Sequence, residues 1–122
     1  MKKAALYLLI VFYIFAGINH FWHAHFYYPI MPLYLQTWAY QLNIVAGLAE
    51  IVLGLLLIFS VTRFLAAIGI FVMLLAFIPA HIYFIQIGSC IPNGLCVPQW
   101  VGWARLVIIH PILLAWVWWV RY

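Results

Sequence analysis

The chain has 122 residues, of which 71% are hydrophobic, 20% aromatic and only 5% charged, with a formal net charge of +4. So little polar surface excludes a water-soluble domain, whose outside must be covered with polar atoms. The five Lys and Arg residues are scattered rather than gathered into a patch or stripe, so no nucleic-acid partner is expected.

Met1-Lys2-Lys3 and the apolar run behind it resemble a secretory leader. No small-x-small cleavage site follows, and the run continues through Ile18-Asn19-His20-Phe21-Trp22. Residues 4–22 therefore read as an uncleaved first membrane span. A bilayer core needs about 20 apolar residues per helix, and segments 38–59, 64–87 and 100–119 meet that requirement as well. The connections are 23–37, 60–63 and 88–99. The expectation is one transmembrane domain over 1–122, an all-α, up-down-up-down four-helix bundle with its outside against lipid. Pro79 and Pro111 should kink the third and fourth spans and free carbonyls toward the interior.

Lys2, Lys3, Arg63 and Arg121 fall on one side of such a bundle, and the opposite loops have no Lys or Arg. The positive-inside rule then places both termini and the 60–63 turn in the cytoplasm. This describes a multi-pass protein of a bacterial inner (cytoplasmic) membrane. The first outer loop, His23-Ala24-His25-Phe26-Tyr27-Tyr28-Pro29, is rich in amphipathic rings that suit the headgroup layer. It should lie along the membrane surface or dip back into the bundle.

Glu50 is the only acidic residue in the chain. A rise of about 1.5 Å per residue puts it about 16–18 Å below the outer end of the second span. A carboxylate at such depth costs about 2.5–3.5 kcal/mol, so it should face the interior and find a partner. On the same scale His110 lies about 15 Å down, His81 about 9 Å, and Asn43 and Arg105 about 7 Å. Asn43, Gly47, Glu50 and Gly54 recur at helical spacing along one stripe, and the glycines allow close helix approach. On the first span, Gly17 and His20 are one turn apart.

Arg105 or a histidine is the expected partner of Glu50. Three arrangements satisfy such a group. One is a buried structural pair with Arg105. The second is a polar pocket open to the outer face, lined by Glu50, Arg105, His20, His81, His110 and Asn43. The third is an interface with another membrane protein. A lone histidine such as His81 or His110 is more often a hydrogen-bonded core residue than a ligand. His20, His23 and His25 form an H-x-x-H-x-H run, but no Cys or carboxylate joins them nearby. It reads as an interfacial polar run, ahead of a metal site or of haem held by a pair such as His20 and His81.

Cys90 and Cys96 lie in the second outer loop, on the oxidising side, so a disulfide is expected. Pro92-Asn93-Gly94 is a turn sequence able to bring the sulfurs together. A structural staple is the first reading. A redox-active pair is the second, although redox pairs usually have C-x-x-C spacing.

Several blocks, in order, resemble the DoxX-like small membrane proteins and the related MauE group. They are Gly17-Ile18-Asn19-His20-Phe21, Tyr28-Pro29-Ile30-Met31-Pro32, Gly47-Leu48-Ala49-Glu50 through Gly54, Thr62-Arg63, Phe77-Ile78-Pro79-Ala80-His81 and Arg105-Leu106. The resemblance implies a four-helix membrane fold and quinone-linked redox work, with a quinone as the possible ligand. Two positions depart from the pattern. His81 stands where Pro-x-Asn is common, and His110 stands in place of the glutamine of Arg-Leu-Pro-Leu-Gln. No flavin, haem or iron–sulfur motif is present, so electrons would come from a partner or from Cys90 and Cys96. The leading expectation is a subunit binding a quinone headgroup or other small amphiphile, with Glu50 as acceptor or proton carrier. The alternatives are a non-enzymatic accessory or scaffold subunit of a larger membrane complex, and a small transporter formed by a homo-oligomer.

Overall fold

A computed structural model describes residues 1–91, 94 and 96–122. Four helices are long and apolar enough to cross a membrane: Lys2–Trp22, Leu33–Leu56, Arg63–Gln86 and Gln99–Val120. No strand occurs among the described residues; Cys90 and Cys96 form an isolated antiparallel bridge.

The second span differs from its sequence reading at both ends. It begins at Leu33 with a tight 3₁₀ stretch, Leu33–Trp38, before the α-helix Ala39–Leu56. The Gln36 side chain steadies this entry by donating to the carbonyls of Tyr28 and Met31. The helix stops at Leu56, short of 59, because side chains take over its last carbonyls. The Thr62 hydroxyl donates to Leu56 O at 2.7 Å, and the Arg63 guanidinium donates to Leu57 O at 2.9 Å and Ile58 O at 3.1 Å. A cation there also suits the negative end of the helix.

Both prolines interrupt their spans, each in its own way. Pro79 lacks the N–H that a continuing helix needs, and the third span divides into Arg63–Ala76 and Ile78–Gln86 around Phe77. The fourth runs as Gln99–Ala104, then a wider π turn, Arg105–Ile109, then His110–Val120 with Pro111 in its first turn. The His110 N–H reaches back five residues to the Arg105 carbonyl.

The first and second spans pair most extensively, along a glycine seam. A Cβ on Gly17 would lie 2.7 Å from Gly47 O, and one on Gly47 would lie 2.9 Å from His20 Cβ. Gly54 faces Ile14, Tyr13 and Ile10, so these two helices run antiparallel. At the opposite end Trp116 donates to Ala5 O at 3.0 Å and Phe64 stacks on Tyr122. Lys2, Lys3, Arg63 and Arg121 are thereby gathered toward one end of the bundle.

That end holds the apolar core. Leu6, Leu9, Ile10, Leu57, Ala66, Ala67, Ile70, Val117 and Val120 pack together there, with Tyr13 and Leu74 at its upper edge. Outward, large apolar side chains such as Leu8, Phe15, Leu48, Leu65 and Trp119 are exposed, the reverse of a soluble protein. At the other end the helices diverge. Ile78–Gln86 packs on the Tyr28–Ile30 turn and on Arg105–Ile109, with no comparable contact to the second span. The space between is a cavity of about 540 Å³.

Candidate functional site

Every span contributes to this cavity. Tyr13 and His20 come from the first, Glu50 from the second, His81 and Phe84 from the third, and Arg105 and His110 from the fourth. Tyr27, Ile30, Met31, Pro32 and Leu35 line it from the first loop, so that loop folds over the bundle instead of lying only beside it. Asn43 does not line the cavity, but it holds a group that does.

The arrangement around His20 follows from the glycine seam. With hydrogen alone at Gly47, the imidazole lies flat across the second helix between Asn43 on one turn and Glu50 two turns on. The Asn43 amide donates to the His20 carbonyl at 2.8 Å, which turns its Oδ1 toward the ring. His20 Nδ1 lies 2.7 Å from that oxygen and must donate to it, because a carbonyl oxygen only accepts. The other nitrogen, Nε2, faces Glu50 Oε2 at 3.4 Å. A favourable contact there requires one proton between them. Either Glu50 is the acid and His20 the neutral base, or the pair is carboxylate and imidazolium. In both cases the pair is neutral overall and holds one transferable proton.

Glu50 is 5% exposed, and beyond the 3.4 Å approach of His20 Nε2 its Oε2 has no hydrogen-bond partner among the described residues. The Tyr13 hydroxyl is also buried without a partner, and both residues line the cavity. Buried polar groups are nearly always satisfied, so two orphans at one cavity end mark a place for water or ligand atoms.

Tyr27 forms the lid over this pair, its ring stacked on His20 with centroids 3.8 Å apart. Its hydroxyl accepts from the Asn19 amide at 2.6 Å, and Asn19 Oδ1 in turn accepts from His23 Nδ1 at 2.5 Å. The phenol proton remains free to donate. Burial pushes the Tyr27 phenol above its ordinary range; the Asn19 hydrogen bond opposes this, Glu50 adds to it and Arg105 opposes it.

The far wall is built from the interrupted helices. His110 Nε2 donates to Leu74 O at 2.5 Å, a carbonyl next to the break at Phe77. The His81 and His110 rings meet edge to face at 4.9 Å. Arg105 opens the π turn, a feature frequent at functional sites, and its guanidinium lies over the Phe84 ring at 5.1 Å. It forms no ion pair with Glu50; the histidine, not the arginine, is the partner. His20 reaches Glu50 because the seam brings their backbones together, whereas Arg105 stands across the open cavity.

The histidine run divides. His20 turns inward, His23 bonds Asn19, and His25 is exposed beside Tyr28. Among the described residues no three His, Cys, Asp or Glu side chains converge as metal ligands. Cys90 and Cys96 are joined, with S–S 2.09 Å. The turn expected at Pro92 and Asn93 lies outside the described residues. Beside the disulfide, buried Ser89 donates to Gln99 Oε1 at 2.6 Å and Gln99 donates to Ile85 O at 3.0 Å, joining the third span's end to the fourth's start.

Tyr13 and Tyr27 are absent from the sequence-derived set. Tyr13 had a signal: Tyr13, Gly17 and His20 repeat the spacing of Asn43, Gly47 and Glu50. Tyr27 had none, because its place depends on how the loop folds.

Comparison with the curated proteins finds no match, and comparison with the solved structures finds none. A family model does match residues 9–121, and on that match the chain belongs to the family described as Domain of unknown function (DUF8561).

Proposed function

We propose that the protein is a membrane-embedded binding subunit. In this reading it takes the polar head of a lipid-dissolved amphiphile into the cavity and exchanges a proton with it at Glu50 and His20. The four apolar helices support a bundle spanning the bilayer up-down-up-down. The grouping of Lys2, Lys3, Arg63 and Arg121 supports cytoplasmic termini in a bacterial inner membrane. The observation that carries the proposal is a largely apolar cavity of about 540 Å³ with the His20 and Glu50 pair and the Tyr13 hydroxyl at one wall and Arg105, His81 and His110 at the other.

The flank of the cavity supports an amphiphile over a water-soluble ligand. The second-span face bearing Leu42, Val45, Ala46 and Ala49 lines the cavity, and the outer half of the third span leaves it uncovered. Val45 is 62% exposed. A head could sit among the polar groups while its tail leaves sideways between the second and third spans.

A quinone is one amphiphile of this kind, because its carbonyls accept hydrogen bonds and its reduction takes up protons; other small amphiphiles with a polar head fit the same description. The choice of a quinone, and kinship with the DoxX-like proteins, rest on the order of the sequence motifs. The chain's own part is to bind the head and hold the proton, and any electrons would come from another membrane protein.

The test is the lipid carried through purification in mild detergent. Wild-type protein should retain a quinone or another single amphiphile near stoichiometric amounts, and Glu50→Gln should lower it to background while the helical spectrum is unchanged. A bundle free of any such ligand, isolated as a stable complex with another membrane protein, would replace this reading with an accessory or scaffold role.

A further inference from the structure

We propose, building on the binding-pocket reading above, that the head group taken by this cavity is an anionic oxyacid, a carboxylate or phosphate, with Arg105 as its counter-ion.

Charge balance within the cavity points to this head group. Glu50 is the only acidic side chain in the protein, and it is engaged by His20. That pair is neutral wherever its proton resides. Arg105 keeps its charge at any ordinary pH, lines the same cavity and has no ion-pair or hydrogen-bond partner among the described residues. Its contact is with the face of Phe84, itself buried. The cavity wall thus carries one half-buried positive charge without a counter-ion among the described residues, and charges in such apolar surroundings are almost always paired. No second acidic side chain exists in the sequence to pair it.

The donors nearby suit an anion. The guanidinium presents a planar fork that matches two oxygens of a carboxylate or phosphate. The Tyr27 hydroxyl accepts from Asn19 and keeps its own proton to give. A neutral head would engage these donors but leave the charge unmatched. The open flank along Val45 and Ala49 adds the second half of the ligand, an apolar tail lying outside the polar end.

The test uses the full chain in neutral phosphatidylcholine nanodiscs with radiolabelled palmitate as probe. Unlabelled palmitate and hexadecyl phosphate should displace it. Methyl palmitate should need about tenfold more, having lost the charge-assisted contact, and inorganic phosphate should not compete. Arg105→Met should erase the difference between acid and ester with helicity unchanged, and Arg105→Lys should keep most of it. Equal displacement by acid and ester overturns the inference. Displacement by inorganic phosphate as effective as by hexadecyl phosphate overturns the tailed ligand in favour of a free anion. If no acid binds but a quinone does, this inference falls and the pocket reading stands; if neither binds, both fall.

Discussion

The two walls of the cavity are built on opposite plans. The wall made by the first two spans is a closed seam, with glycines at its contacts and a histidine whose Nδ1 is bonded to Asn43 and whose Nε2 faces Glu50. The wall made by the last two spans is broken at Phe77 and widened at Arg105–Ile109. It carries an arginine with no partner among the described residues. The seam holds the His20 ring 3.4 Å from the Glu50 carboxyl. The broken wall leaves a charge facing open space. Under the proposed function the two sides would have separate tasks, the seam holding the titratable pair and the broken wall meeting the ligand's charge.

The largest expected effect comes from forcing the seam apart. Gly17→Val would press a branched side chain on Gly47 O and Ile51 N, backbone atoms that cannot turn aside. Overpacking of this kind costs about 1–3 kcal/mol, and rigid neighbours put Gly17 at the upper end. Gly69→Ala is the control, since its Cβ would meet only the flexible end of Leu53 and should cost under about 1 kcal/mol. Unfolding midpoints in mixed detergent and SDS micelles would compare them. Equal losses would mean that the seam is no tighter than the rest of the bundle.

Next comes Asn43→Leu, which removes both partners of the His20 end at once. Asn43 is 1% exposed, so His20 Nδ1 and the His20 carbonyl would be left dry. Each such loss costs about 1–3 kcal/mol, and membrane interiors lie toward the lower figure. The sharper readout is ¹⁵N NMR of the His20 ring. In the wild type Nδ1 should carry a proton throughout, with any change confined to Nε2. In Asn43→Leu the two tautomers should mix. A wild-type ring already protonated only at Nε2 would break the shared-proton argument.

Much of this contrast could be read from the residues, and the unread part has a physical cause. Four apolar runs of bilayer length specify four helices, because in hydrocarbon a helix alone satisfies its backbone within a single segment. Glu50 stands out by being alone, and its stripe with Asn43 and Gly47 points to its face. Its partner did not follow from depth. Arg105 and His20 were both within reach along the helix axis, and lateral distance decided between them. That distance is set by small residues, whose effect is visible only once two helices are docked. The loop that brings Tyr27 onto His20 has no periodicity to read, and the helix ends moved where Thr62, Arg63 and Gln36 captured carbonyls.

The smallest effect on stability, and the finest cut between the walls, is Pro111→Ala. The substitution returns an N–H to the fourth span, and relief of the proline should stabilise it or leave it within about 1 kcal/mol. The His110 N–H now bonds Arg105 O, five residues back. If the regained donor lets the turn close to ordinary α geometry, removing the extra residue rotates the preceding segment by about 100° relative to His110. Arg105 would then swing off Phe84 and out of line with the cavity, while the His20 and Glu50 side would be untouched. The preference for acid over ester should fall, with the Nε2 signal of His20 unchanged. A variant that keeps full acid preference would show that the π turn is incidental and that Phe84 alone positions the guanidinium.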